Sequence, residues 1–129
     1  MGIYNLKIKQ GATFKFMFIY RNQETKEPIN LTNYDVFMQI RRGFELTSEL
    51  VIDLSIGNGI TVTPEEGKIE VELTPSQTEL LALNTVVDRC NPQREARLGY
   101  YDLKISQPSH ADRLLEGEVF LSREVTKNE

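Results

Sequence analysis

The sequence predicts an all-β domain, a two-sheet antiparallel sandwich of about eight short strands with one short helix. Three observations lead there. Apolar residues recur at every second position through most of the chain, which is the period of half-buried strands. Gly, Pro and Asn break these runs at short intervals, as turns require. A helical pattern clearly replaces the alternation after Leu73, where a capping sequence begins.

The first alternating run is Tyr4 to Lys9, with Tyr4, Leu6 and Ile8 on one face and Asn5, Lys7 and Lys9 on the other. Gln10-Gly11 turns the chain into a long strand, Ala12 to Tyr20. Phe14, Phe16, Phe18 and Tyr20 share one face of it, and Lys15, Met17 and Ile19 the other. Asn22 to Glu27 is polar and reads as a hairpin tip. In the following Pro28-Ile29-Asn30-Leu31-Thr32-Asn33-Tyr34, Asn33 suits a positive φ.

Tyr34 to Arg42 places Val36, Met38 and Ile40 inward. Gly43 to Glu49 reads as a loop. Leu50 to Ile56 alternates with Leu50, Ile52, Leu54 and Ile56 in phase. Gly57-Asn58-Gly59 reads as a hairpin turn into a short strand, Ile60 to Thr63. Pro64-Glu65-Glu66-Gly67 has Pro and Gly at favoured turn positions. Lys68 to Leu73 then gives the cleanest alternation: Ile69, Val71 and Leu73 in, Lys68, Glu70 and Glu72 out.

Thr74-Pro75-Ser76-Gln77 is a capping box with Pro at the first helical position, so a helix of two to three turns is expected over about 75–83. Leu80, Leu81 and Leu83 would form its apolar face. Asn84 to Leu98 has no clear period and reads as a long loop, with a helical piece near Gln93 to Ala96. Gly99 to Gln107 is a strand with Tyr101, Leu103 and Ile105 on one face. Pro108 to Asp112 is a turn. Arg113 to Ser122 is the last strand, with Leu115, Gly117, Val119 and Leu121 in phase. Residues 123–129 form a polar tail. The whole of 1–129 is expected to be a single domain.

Composition narrows the function. The chain has 129 residues, 40% hydrophobic and 26% charged, an ordinary balance for a globular domain with its own core. Its net charge of −4 disfavours nucleic acid, because phosphate binding needs concentrated Lys and Arg. One cysteine, Cys90, cannot make an internal disulfide, which suits a reducing compartment. The start, Met1 to Asn5, is not a basic stretch followed by an apolar run, so no signal peptide is expected. Apolar runs such as Phe16 to Tyr20 are too short to span a bilayer.

Catalytic chemistry finds little support. His110 is the single histidine and falls in a turn beside Ser109 and Asp112; triads are assembled across a fold, and an exposed turn explains these residues. Arg89 could lower the pKa of Cys90, but the only histidine base lies in that turn, and a packed thiol is the simpler account. One Cys and one His do not make a zinc set. Glu70, Glu72, Glu116 and Glu118 alternate along strands, as on solvated faces, and are not opposed across a cleft. Gly57-Asn58-Gly59 lacks the strand and helix context of a phosphate loop. The expectation is a non-enzymatic protein with no cofactor, no metal and no small-molecule substrate.

Phe37, Tyr100 and Phe120 run out of phase with the inward faces of their strands, as do Met17 and Ile19, and suit contact with a partner protein better than a sugar platform. The sequence of a strand, a short capped helix and a strand bearing Tyr100-Tyr101 gives the sandwich an immunoglobulin-like architecture. The Cys and Trp core of true immunoglobulin domains is missing.

Taken in order, several segments carry a family resemblance. They are Gln10 to Phe14, Pro28 to Tyr34, Phe37 to Arg41, Gly59 to Val62, Gly67 to Thr78, Gly99 to Leu103 and Gly117 to Val119. Together the chain resembles small β-sandwich structural proteins of tailed bacteriophages, similar to the N-terminal module of phage baseplate upper proteins. Asn33 stands where a Gly would be expected before the tyrosine, and the segment from Asn84 to Leu98 is longer than the resemblance suggests.

The resemblance implies a virion structural or adaptor protein at the tail, neck, baseplate or fibre attachment, folded in the host cytoplasm. Its expected partners are other virion proteins and copies of itself. The expected contact residues are Arg89, Cys90, Asn91, Arg94 and Arg97 in the long segment, with Phe37 and Phe120 on the sheet. The alternatives are a carbohydrate-binding module and a capsid-decoration module on the same fold.

Overall fold

Val36, Met38 and Ile40 are at most 1% exposed, while Asp35 and Phe37, in the opposite phase, face solvent. This period-two burial recurs along the chain and sets the architecture. The structure, a computed structural model, describes residues 2–44, 48–81 and 95–123. Its elements are β1 (Gly2–Ile3), β2 (Leu6–Lys9), β3 (Phe14–Ile19), β4 (Asp35–Arg41), β5 (Leu50–Ile56), β6 (Gly59–Thr63), β7 (Lys68–Leu73), α1 (Pro75–Leu80), β8 (Glu95–Gln107) and β9 (His110–Ser122).

Hydrogen bonds connect the strands in the order β1-β9-β8-β4-β5-β6-β7-β3, with β2 also on β9. Between β5 and β6 the path is thin: only Ser55 with Gly59 and Ile56 with Ile60 pair, in parallel. Here the chain passes from one layer of the sandwich to the other. The larger layer holds β5, β4, β8 and β9, with β1 and β2 along its edge; the smaller holds β6, β7 and β3. Ile60, Ile69, Val71 and Leu73 of the smaller layer share one core with Val36, Met38, Ile40, Leu103, Ile105, Val119 and Leu121 of the larger. Each such side chain contributes about 1.5–3 kcal/mol when fully buried. The all-β, immunoglobulin-like sandwich with one short helix is thus the observed fold.

Within the antiparallel frame, the N-terminal strand is different. It runs parallel to β9, pairing Leu6 with Val119 and Ile8 with Leu121. Parallel partners need no local turn between them, so no sequence signal marks this pairing.

Several boundaries move. Gly57-Asn58 does turn, with Asn58 N–H donating to the Ser55 carbonyl at 2.9 Å. The strands it joins are nevertheless not a hairpin pair, because β6 continues into the other layer and pairs antiparallel with β7. Leu50 and Ile56 are 43% and 48% exposed, leaving Leu54 as the fully buried residue of β5. Asn33 has φ 70°, the positive value expected of it. Pro64 to Glu66 tightens into a single 3-10 turn.

The capping box at α1 is present: the Thr74 hydroxyl accepts from Gln77 N–H, and the Gln77 side chain accepts from Thr74 N–H. The helix is shorter than expected and ends at Leu80, which is 61% exposed. Its buried contacts are Thr78, whose hydroxyl donates to the Ala12 carbonyl at 2.9 Å, and Leu81 just past the helix. Leu83 lies outside the described residues.

At β8, residues 95–98 are strand, not loop or helix. They pair with β9 through Glu95 with Ser122, Ala96 with Leu121 and Arg97 with Phe120. The alternation hid this because the register shifts between Arg97 and Gly99. β9 likewise starts at His110, and a second shift near Leu103 leaves both Leu114 and Leu115 buried.

Candidate functional site

The inward phase of β4, β8 and β9 leaves the opposite phase on one outer face. Across it, Phe37 lies in register with Lys104 and then Arg113; Gln39 with Asp102 and Glu116; Arg41 with Tyr100 and Glu118. At the far end Arg97 is in register with Phe120, and Phe120 with Lys7 of β2. Phe37 is 41% exposed and Phe120 half-buried, so the two stand at opposite ends of one face.

Between them lies a group that sequence reasoning brought together only in part. Phe44, 83% exposed just after β4, sets its ring 4.3 Å from that of Tyr100. The Arg97 guanidinium lies over the Tyr100 ring, 5.3 Å from its centroid, and Arg97 Nη1 is 3.5 Å from Glu118 Oε1. A cation over an aromatic ring is attracted by the ring's negative face. Arg97 was expected in a loop; its position on β8 is what puts it over Tyr100. Phe44 was missed because Gly43 to Glu49 reads as a loop, and only its place directly after a strand hinted at the face.

Polar side chains surround the aromatics. Arg113 reaches Asp102 at 3.7 Å and Glu116 at 3.4 Å. Arg41 donates from Nε to Gln39 Oε1 and from Nη1 to the Ser48 carbonyl, both at 3.1 Å, and Gln39 donates to Asp53 at 3.2 Å. The exposed ion pairs of Arg97 and Arg113 are worth roughly 0–1 kcal/mol each and serve to hold side chains in place. Gln39, Arg41, Phe44, Tyr100, Asp102 and Arg113 line an open concavity of about 320 Å³ on this face. Of the other expected contact residues, Arg89, Cys90, Asn91 and Arg94 lie outside the described residues.

His110 is not in a turn with Asp112, as expected, but at the start of β9, paired with Gln107. Its ring meets Tyr34 edge-on at 6.1 Å, with Nδ1 3.4 Å from the Tyr34 hydroxyl. Asp112 instead accepts from the Tyr20 hydroxyl at 3.3 Å. Burial, and then the charge and hydrogen bond of Asp112, push the Tyr20 phenol up from its ordinary value. Histidine and aspartate thus each serve a tyrosine. Among the described residues no three His, Cys, Asp or Glu side chains are grouped to hold a metal. No helix among them is long and apolar enough to cross a membrane.

No family model and no curated protein matches the chain. Solved structures do resemble it in shape. One is the natural killer cell receptor NKp44, a triggering partner in natural cytotoxicity, at 13% identity and TM-score 0.46, over 93% of this chain and 96% of that one. Another is the extracellular domain of the voltage-gated sodium channel β4 subunit, which forms parallel homodimers in cell–cell adhesion. It matches at 10% identity and TM-score 0.44, over 95% of this chain and 93% of that one. A shared shape at such identity does not imply a shared role.

Proposed function

We propose that this chain is a non-enzymatic protein-binding module, and that it serves as a structural or adaptor component of a tailed-phage virion. The observation that carries the binding role is the outer face of the larger layer. It presents Phe37, Phe44, Tyr100 and Phe120 among paired charges, and Tyr, Phe and Arg are the residues enriched where interfaces bury their centres. The virion assignment is supported by the ordered resemblance of the sequence to small phage sandwich proteins. In this reading neighbours cover the aromatic group, and the Arg41, Arg97 and Arg113 networks form its polar rim.

The test is co-purification with particles, followed by a reconstruction of the particle. The chain should enrich in the virion fraction and give sandwich-shaped density with its aromatic face against a neighbour. Absence from particles would remove the virion assignment.

The Phe44–Tyr100 pair beside Gln39 and Asp102 also favours a second reading, a carbohydrate-binding module, since sugars stack on aromatic rings and bond to such side chains. Glycan binding that is abolished by Tyr100→Ala would favour it over the first.

A further inference from the structure

The chain passes between the layers at Gly57-Asn58-Gly59, and Asn58-Gly59 is the only Asn-Gly pair in the sequence. An asparagine followed by glycine is able to react with its own main chain. The next amide nitrogen lies within a five-membered ring of the side-chain carbonyl carbon, so the attack is intramolecular. Glycine has no side chain to shield that nitrogen or to restrict its approach. Asparagine counts among the thermolabile residues.

Exposure does not single out Asn58, because Asn5, Asn22, Asn30 and Asn33 are exposed as well. Their surroundings differ. Asn5 Oδ1 accepts from Glu118 N–H at 3.0 Å, Asn22 Oδ1 from Glu24 N–H at 2.8 Å, and Asn30 Oδ1 from Thr32 N–H at 2.8 Å. Each of these carboxamides is held, and Leu6, Gln23, Leu31 and Tyr34 shield the nitrogens that follow the four asparagines. The Asn58 carboxamide makes one long bond, from Nδ2 to the Asp53 carbonyl at 3.4 Å. Gly59 has φ 90° and stands just before the β6–β7 ladder, which begins with Ile60 on Val71. The Asn58 main chain is tied to Ser55, donating to its carbonyl at 2.9 Å and accepting from its N–H at 3.1 Å. That seam is two residue pairs long, so a small local opening frees Asn58 to swing Cγ onto the Gly59 nitrogen.

We infer that Asn58-Gly59 is a covalent modification site, deamidating with water as the only co-reactant, and that the isoaspartate formed there loosens the seam between the layers. The Gly59 nitrogen gives up its proton and bonds to Asn58 Cγ. The Cγ–Nδ2 bond breaks, and Nδ2 leaves with that proton as ammonia. Water then opens the cyclic imide at either carbonyl, leaving aspartate or isoaspartate; nothing is oxidised or reduced. In isoaspartate the main chain runs through Cβ and Cγ and is one atom longer. Ser55 N–H then loses the carbonyl that faces it in register, and a new negative charge appears beside Asp53. The reaction needs no partner, so the inference goes beyond the proposed function, and either can fail without the other.

The test ages the full chain at mildly alkaline pH and physiological temperature, with the chain unfolded in urea as its reference. Peptide mapping by mass spectrometry and enzymatic methylation of isoaspartate locate the products. In the folded chain Asn58 should convert several-fold faster than Asn5, Asn22, Asn30 and Asn33. Amide exchange at Ser55 and Gly57, the donors that close this seam, should be several-fold faster in the modified fraction than in the fresh protein. Asn58→Gln, aged in parallel, should show neither change. Asn58→Asp adds the charge without the extra main-chain atom, and its exchange at Ser55 should stay near that of the fresh protein. The inference is overturned if Asn58 is intact in the folded chain once the urea-unfolded reference has converted, if it converts no faster than the other four asparagines, or if exchange at Ser55 and Gly57 is the same in the modified fraction.

Discussion

The Tyr101 hydroxyl donates to the main-chain carbonyl of Tyr4 at 2.6 Å, joining residues 97 apart in sequence. The strand between them makes this possible. Tyr101 is in register with Gly117 of β9, and a Cβ on Gly117 would collide with the Tyr4 carbonyl. The missing side chain thus lets the N-terminal strand bend inward at Tyr4 and Asn5. Asn5 Oδ1 accepts from Glu118 N–H at 3.0 Å and closes the backbone gap left by the bend. These contacts hold the first strand against the last.

Removing either half of this joint should be costly. Tyr101→Phe leaves the Tyr4 carbonyl without its donor and should destabilise the chain by about 1–3 kcal/mol in urea unfolding. Gly117→Ala places a methyl against backbone and should cost about 1–3 kcal/mol. It should also speed amide exchange in β2 before global unfolding, since the strand must move to relieve the contact.

The same phenol predicts a pH dependence. Burial, and then the proximity of Tyr4, push the Tyr101 pKa well above that of an ordinary phenol. The fold therefore favours the neutral form. Its contribution is present below the unfolded value of about 10 and is lost as the pH rises through the folded value. As the pH rises above about 10 the wild type should lose stability, and Tyr101→Phe should lose less. Tyr20, shifted in the same direction, accounts for a remainder.

Thr74→Ala removes the hydroxyl that accepts from Gln77 N–H and keeps the backbone N–H that donates to the Gln77 side chain. A loss of about 1 kcal/mol is expected in chemical unfolding. Thr78→Val keeps the volume of a side chain that is 0% exposed but deletes its bond to the Ala12 carbonyl, and should cost a similar amount.

Phe37→Ala and Tyr100→Ala should separate binding from folding. Both side chains lie on the outer face, so unfolding should shift by no more than about 1 kcal/mol. Partner binding, measured by co-sedimentation with particles, should fall tenfold or more.

The parts of the fold that were legible in the sequence are those where burial acts on one strand at a time. Val36, Met38 and Ile40, and Ile69, Val71 and Leu73, announce their faces because each strand has one wet side. Local chemistry likewise predicts the capping box at Thr74 and the positive φ of Asn33. Features set by distant partners were not legible. The parallel pairing of β2 with β9, the shift that carries Arg97 onto β8, and the passage of Gly57-Asn58 between layers all depend on residues far away in sequence. Of the candidate site, Phe37, Tyr100 and Phe120 were legible as out-of-phase aromatics, whereas Phe44 and its stacking on Tyr100 were not. Gly117 did carry a signal for the joint it makes: a glycine in the inward phase of a strand marks a close backbone approach.

The central claim, that the outer face of the larger layer is buried against neighbours in a virion, is tested most directly by hydroxyl-radical footprinting of the chain free and in purified particles. The account predicts that Phe37, Phe44 and Tyr100 oxidise several-fold more slowly in the particle, while the exposed Leu80 and Ile56 are unchanged. A chain missing from particles, or equal oxidation of the three aromatics in both states, would contradict it.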